Sequence, residues 1–155
     1  MKSALLIGSA LLVSALPSAA SAEPVLLISI DGLQPDDVIE ADNRGIDIPN
    51  LKRFITQGSY AQGVRGVLPT VTYPSHATLI TGVSPSRHGI FGNNSFDPLQ
   101  INQGGWYWYA TDFRVPTLSD IAAKAKLTTA NVHWPVSVNA SAVKWNIPQI
   151  WRTGH

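Results

Sequence analysis

Val25-Leu26-Leu27-Ile28-Ser29-Ile30 is a run of apolar residues broken by one small serine. Its polarity does not alternate, so it predicts a strand covered on both faces, as central parallel strands are. Asp31-Gly32 follows at once. That places an acid at the carboxyl end of the strand, where open α/β sheets hold their ligands. Further on, Leu51, Phe54 and Ile55 recur at helical spacing behind Ile48-Pro49-Asn50, and Gly58 marks the stop. Residues 60–68 form a second strand candidate, interrupted by glycine. Residues 74–80 predict a helix, with Pro74 in its first turn and Gly82 past its end. Residues 83–94 and 104–112 read as loop. Residues 116–126 predict an amphipathic helix with Leu118, Ile121, Ala122 and Ala125 inward, and residues 128–134 a further strand. Strand, helix, strand, helix, strand at these spacings argues a layered α/β sheet. Beyond Trp134 the pattern predicts no definite element.

The start of the chain has a different character. Lys2 precedes an uncharged apolar run over residues 4–16, Pro17 ends it, and Ala20-Ser21-Ala22 offers the small-x-small pattern of signal peptidase. Residues 1–22 are therefore expected to be a secretory signal peptide and the protein to be exported, periplasmic or secreted. The run is shorter than the roughly 20 apolar residues of a membrane span, and retention as an uncleaved anchor is the alternative. Cleavage would leave residues 23–155, enough for one domain at most. The chain has 11 basic and 10 acidic residues, and Lys2 is the one charge of the leader, so the remainder is balanced. Nothing in that balance argues for a basic nucleic-acid surface or a polybasic membrane patch. There is no cysteine, so stability must come from packing or bound metal rather than disulfides.

Three segments carry candidate chemistry. Asp31-Gly32 is by itself compatible with a simple turn. In Pro69-Thr70-Val71-Thr72-Tyr73-Pro74-Ser75-His76, Thr72 falls at the start of the expected helix. A hydroxyl there can cap a free N–H. Alternatively, free N–H groups and the helix dipole hold an anion facing that oxygen. No His-Asp relay stands nearby to take the hydroxyl proton, which leaves a divalent metal as the other standard activator. The third segment is His88-Gly89-Ile90-Phe91-Gly92-Asn93-Asn94, whose asparagines would otherwise be turn formers.

In this order and spacing the three segments resemble the nucleotide pyrophosphatase/phosphodiesterase family (type I phosphodiesterases) of the alkaline phosphatase superfamily. The resemblance covers roughly residues 25–134, and Pro49-Asn50-Leu51 also matches it. It implies a three-layer α/β/α sandwich of the alkaline phosphatase type, incomplete because only its N-terminal part is present in residues 23–155. It implies Asp31 as a metal ligand, Thr72 as nucleophile and ligand of the same metal, and Asn93 as donor to a nonbridging phosphate oxygen. Two divalent metal ions, zinc by family expectation, would act on a small-molecule phosphodiester or nucleotide. Hydrolysis of a phosphodiester or pyrophosphate bond would pass through a phospho-threonine. Val71 and Ser75 depart from the Lys and Asn frequent in the animal enzymes, which loosens inference about substrate. The family's remaining ligands, an Asp-x-x-x-His pair and an Asp-His pair with a later His, are not found in this sequence, so the 155 residues alone are expected to be inactive. Related phosphomonoesterases and phosphonate hydrolases fit the same residues, whereas a sulfatase would need Cys or Ser at the nucleophile. His76 and His88 match family positions that are not ligands, and His133 and His155 have no assigned role. Trp106, Trp108 and Tyr109 suit either packing or stacking on a base.

Overall fold

The computed structural model describes residues 23–99, 101 and 105–150. The expected leader and His155 lie outside them. The chain divides into two compact units, Met1–Gly32 and Leu33–His155. In the first, residues 25–30 form no strand, and Val25, Leu26 and Ile28 are 91%, 83% and 62% exposed. This corrects the expected buried strand. An apolar run becomes a central strand only when neighbours cover it, and its own unit supplies none among the described residues.

The second unit holds every regular element among the described residues: α1 Pro35–Ile39, α2 Pro49–Gln57, α3 Thr72–Thr81, α4 Pro85–His88, a 3-10 turn Ala110–Asp112, α5 Leu118–Lys124, β1 Ala130–Val132 and β2 Trp145–Ile147. It is a small mixed α/β fold with little strand content. The expected α2 is present between Pro49 and the Gly58 cap, whose N–H bonds the Phe54 carbonyl. Residues 60–68 are irregular rather than a strand; Gly63 and Gly66 weaken a strand there by leaving no side chain to pack. α1 and α4 were not expected. Each has proline in its first turn, and each is too short to show a helical period.

α5 starts at Thr117, whose hydroxyl accepts from the Asp120 N–H at 3.3 Å while the Asp120 carboxylate accepts from the Thr117 N–H at 2.7 Å. This is a capping box. The expected inward face of α5 is not inward: Leu118 and Ile121 are 58% and 52% exposed. The sheet is the parallel pair β1–β2, with Ala130 opposite Trp145 and Val132 opposite Ile147. No described strand flanks the pair, so the three-layer sandwich is not seen in the described residues. No helix among them is long and apolar enough to cross a membrane.

The core of the second unit is built around α3. Tyr73, Ala77, Ile90 and Val136 form one buried cluster, with Trp106, Tyr107 and Phe113 packed against it. Trp106 stacks on Trp108 at 5.5 Å and meets Tyr73 at 5.4 Å. Trp108 is fully buried, so its role is packing. Val136 sits at φ 56°, a left-handed conformation that a β-branched residue adopts at a cost of order 1–3 kcal/mol. It is nonetheless 2% exposed and part of that core.

Candidate active site

α3 begins two residues earlier than its sequence suggests. Thr72 is its first residue, not its cap, and Pro74 is its third, where a missing N–H costs nothing. The cap residue is Val71, which has no side-chain acceptor to offer. The acceptor comes from elsewhere in the chain: Asn93 Oδ1 receives the Tyr73 N–H at 2.9 Å. The backbone carbonyl of Asn93 in turn accepts from the Tyr107 N–H at 3.1 Å. With Oδ1 taken by a donor, the Asn93 amide has a fixed orientation, and its NH2 is the end left to donate.

His88 ties the Asn93 segment to the middle of α3. Its Nδ1 accepts from the Ile90 N–H at 3.1 Å. The ring proton is therefore on Nε2, which donates to Thr78 Oγ1 at 3.1 Å. The ring is fully buried, and burial holds its pKa below the ordinary histidine value, offset in part by the Pro74 carbonyl. Because the folded pKa is lowered, His88 contributes stability that is complete above the unfolded value of about 6.5 and is lost as pH falls below it. The thermal midpoint should therefore drop on acidification from about pH 7. A His88→Gln protein should lack that part of the slope, and identical profiles for the two would count against this origin.

Tyr73 lies beside Thr72 with its ring 1% exposed. Its hydroxyl has no hydrogen-bond partner among the described residues, and burial pushes its pKa up to about 12. His76, one turn on, is nearly buried, with Nδ1 2.8 Å from the Thr72 carbonyl oxygen. Asp31 belongs to the first unit and Thr72 to the second. Among the described residues no group of three or more His, Cys, Asp or Glu could hold a metal ion. One carboxylate and one hydroxyl fall short of the three or four protein ligands that zinc sites use, so the residues present do not fit a complete metal site. The structure thus brings Asn93 to the first turn of α3. No local pattern signals the Asn93–Tyr73 contact, which spans 20 positions.

The positive end of the α3 dipole, Thr72 at the helix start and the oriented Asn93 amide lie together at one end of α3. Residues 25–153 match the model of the family described as type I phosphodiesterase / nucleotide pyrophosphatase, and the chain belongs to that family. It is 33% identical over 137 residues to ectonucleotide pyrophosphatase/phosphodiesterase family member 3 of Rattus norvegicus, covering 83% of this chain and 15% of that protein. It is 36% identical over 87 residues to the venom phosphodiesterase of Macrovipera lebetinus, 56% of this chain and 10% of that one. Against Bis(5'-adenosyl)-triphosphatase enpp4 of Mus musculus the identity is 35% over 82 residues, 53% and 17% of the two chains. The chain thus spans well under two thirds of the length of these relatives.

Proposed function

We propose that this chain is the nucleophile-bearing part of an exported hydrolase that cleaves phosphodiester or pyrophosphate bonds of nucleotide-type small molecules. Thr72 is the nucleophile: its oxygen gives up its proton and attacks phosphorus, displacing the leaving alcohol or phosphate, and water then attacks the phosphorus of the phospho-threonine, releasing the remaining phosphate product and restoring the hydroxyl. The Asn93 NH2 donates to a nonbridging oxygen, and the positive end of the α3 dipole favours the anion. Asp31 is a metal ligand, and the ions of the family, zinc by expectation, would supply Lewis acidity when bound. The 2.9 Å contact between Asn93 Oδ1 and the Tyr73 N–H supports this reading most, because it puts the proposed donor against the turn that carries the proposed nucleophile.

The test is an assay with bis-p-nitrophenyl phosphate and zinc. Residues 23–155 alone are expected to bind zinc weakly and to leave the ester intact, since two oxygen donors are too few. A protein that joins this chain to a family-length remainder should turn it over, releasing p-nitrophenol, and quenching during turnover should leave a p-nitrophenyl phosphoryl group on Thr72, located by mass spectrometry. That adduct on another residue, or tight stoichiometric zinc binding by the short chain, would overturn this assignment of the site.

A further inference from the structure

β1 and β2 lead into a closed circuit of hydrogen bonds. Asn131 and Asn146 are register partners across the parallel pair. Asn131 Nδ2 donates to Asn146 Oδ1 at 2.6 Å, and Asn146 Nδ2 donates to the Ser137 carbonyl at 2.6 Å. The Ser137 hydroxyl donates to the Trp134 carbonyl at 2.6 Å, and the Trp134 N–H returns to Asn131 Oδ1 at 3.1 Å. The backbone of Trp134 is thereby held on both its donor and its acceptor side. Left-handed residues His133 and Val136 flank it, which limits the turn to one path.

The indole carried on this anchored backbone meets the imidazole of His76 at 5.2 Å, with the two planes 75° apart. Such an arrangement favours one ring orientation over others. His76 is 9% exposed, and its Nδ1 lies 2.8 Å from the carbonyl oxygen of Thr72. A carbonyl oxygen only accepts, so the ring proton in this contact is on Nδ1. The Thr72 carbonyl lies in the first turn of α3, where frayed ends ordinarily leave the backbone least held.

We propose that His76 is a positioning residue for Thr72: braced by Trp134, its Nδ1–H holds the carbonyl of Thr72 and so fixes the backbone from which the hydroxyl projects. The bearing on turnover rests on Thr72 being the nucleophile; the clamp itself does not. A structural bond of the ordinary side-chain-to-backbone kind would add stability to α3 as a whole. A positioning bond acts at residue 72. It also depends on the donor at the Nδ1 position rather than on the bulk of the ring.

The experiment uses the full chain, its His76→Leu variant and its His76→Asn variant, in which the amide nitrogen takes the place of Nδ1. Ring ¹⁵N shifts in the unmodified chain should place the proton on Nδ1. In His76→Leu the amides at positions 75 and 76 should exchange roughly 2–10-fold faster, as expected for loss of one hydrogen bond, while the C-terminal turn of α3 is unaffected. His76→Asn should restore most of that protection. In a turnover-competent protein containing this chain, His76→Leu should lower kcat by up to about 100-fold with KM little changed, and His76→Asn should recover it. A ring proton on Nε2, equal behaviour of the Asn and Leu variants, or faster exchange spread evenly along α3 would overturn the clamp. If the shifts and exchange are as expected but Thr72→Ala keeps its turnover, the clamp stands and the chemistry assigned to Thr72 falls.

Discussion

Thr72→Ala should abolish turnover in a protein that carries this chain together with the rest of its domain, while Thr70→Ala should leave most of it. Removing the nucleophile from a covalent mechanism typically costs roughly 10⁴–10⁶ in kcat. The two threonines are two residues apart but differ in placement. Thr72 is the first residue of α3 and partly buried, whereas Thr70 is exposed and precedes the helix. A phosphate drawn to the positive end of the α3 dipole would lie beside residue 72. Alanine is the best helix former, so Thr72→Ala should fold as before, and its thermal midpoint serves as the control. A Thr70→Ala protein that is dead beside an active Thr72→Ala would reverse the assignment.

Asn93→Ala should lower kcat roughly 10²–10³-fold, the usual cost of one donor to a developing anion. It should also destabilise the fold by about 1 kcal/mol, because the Tyr73 N–H loses its acceptor. Asn93→Asp separates the two effects. A carboxylate still accepts the Tyr73 N–H, so stability should be retained, but it cannot donate and it repels phosphate, so the fall in kcat should remain. An Asn93→Asp protein with unchanged kcat would reduce Asn93 to a helix cap.

The sequence made α2 and α3 legible because proline and glycine bracket each of them and leave the helix little freedom in where to run. The roles proposed for Thr72, Asn93 and Asp31 rest on the joint spacing of three segments, since each alone fits a cap or a turn. The strands were read least well. Residues 25–30 have the composition of a buried strand, yet burial depends on neighbours that a local pattern does not encode. β2 went unseen because Trp145-Asn146-Ile147 is too short to display a period. The amphipathic reading of α5 was right about the helix and wrong about its environment, as Leu118 and Ile121 show. The tie between Asn93 and α3 and the approach of Trp134 to His76 are contacts between distant positions, and no local periodicity records them.

Val136 joins a backbone demand and a volume demand at one position. Its left-handed backbone suits glycine, while its side chain fills space against Tyr73, Ala77 and Ile90. In evolutionary terms the two demands cannot be optimised separately. A glycine here relieves the backbone but opens a void, which a larger neighbour must then fill. Among relatives that keep this turn, the residue at 136 should therefore drift together with those at 77 and 90, glycine accompanying bulk and a branched residue accompanying alanine. Single exchanges across that divide would carry a fitness cost that the paired exchange avoids.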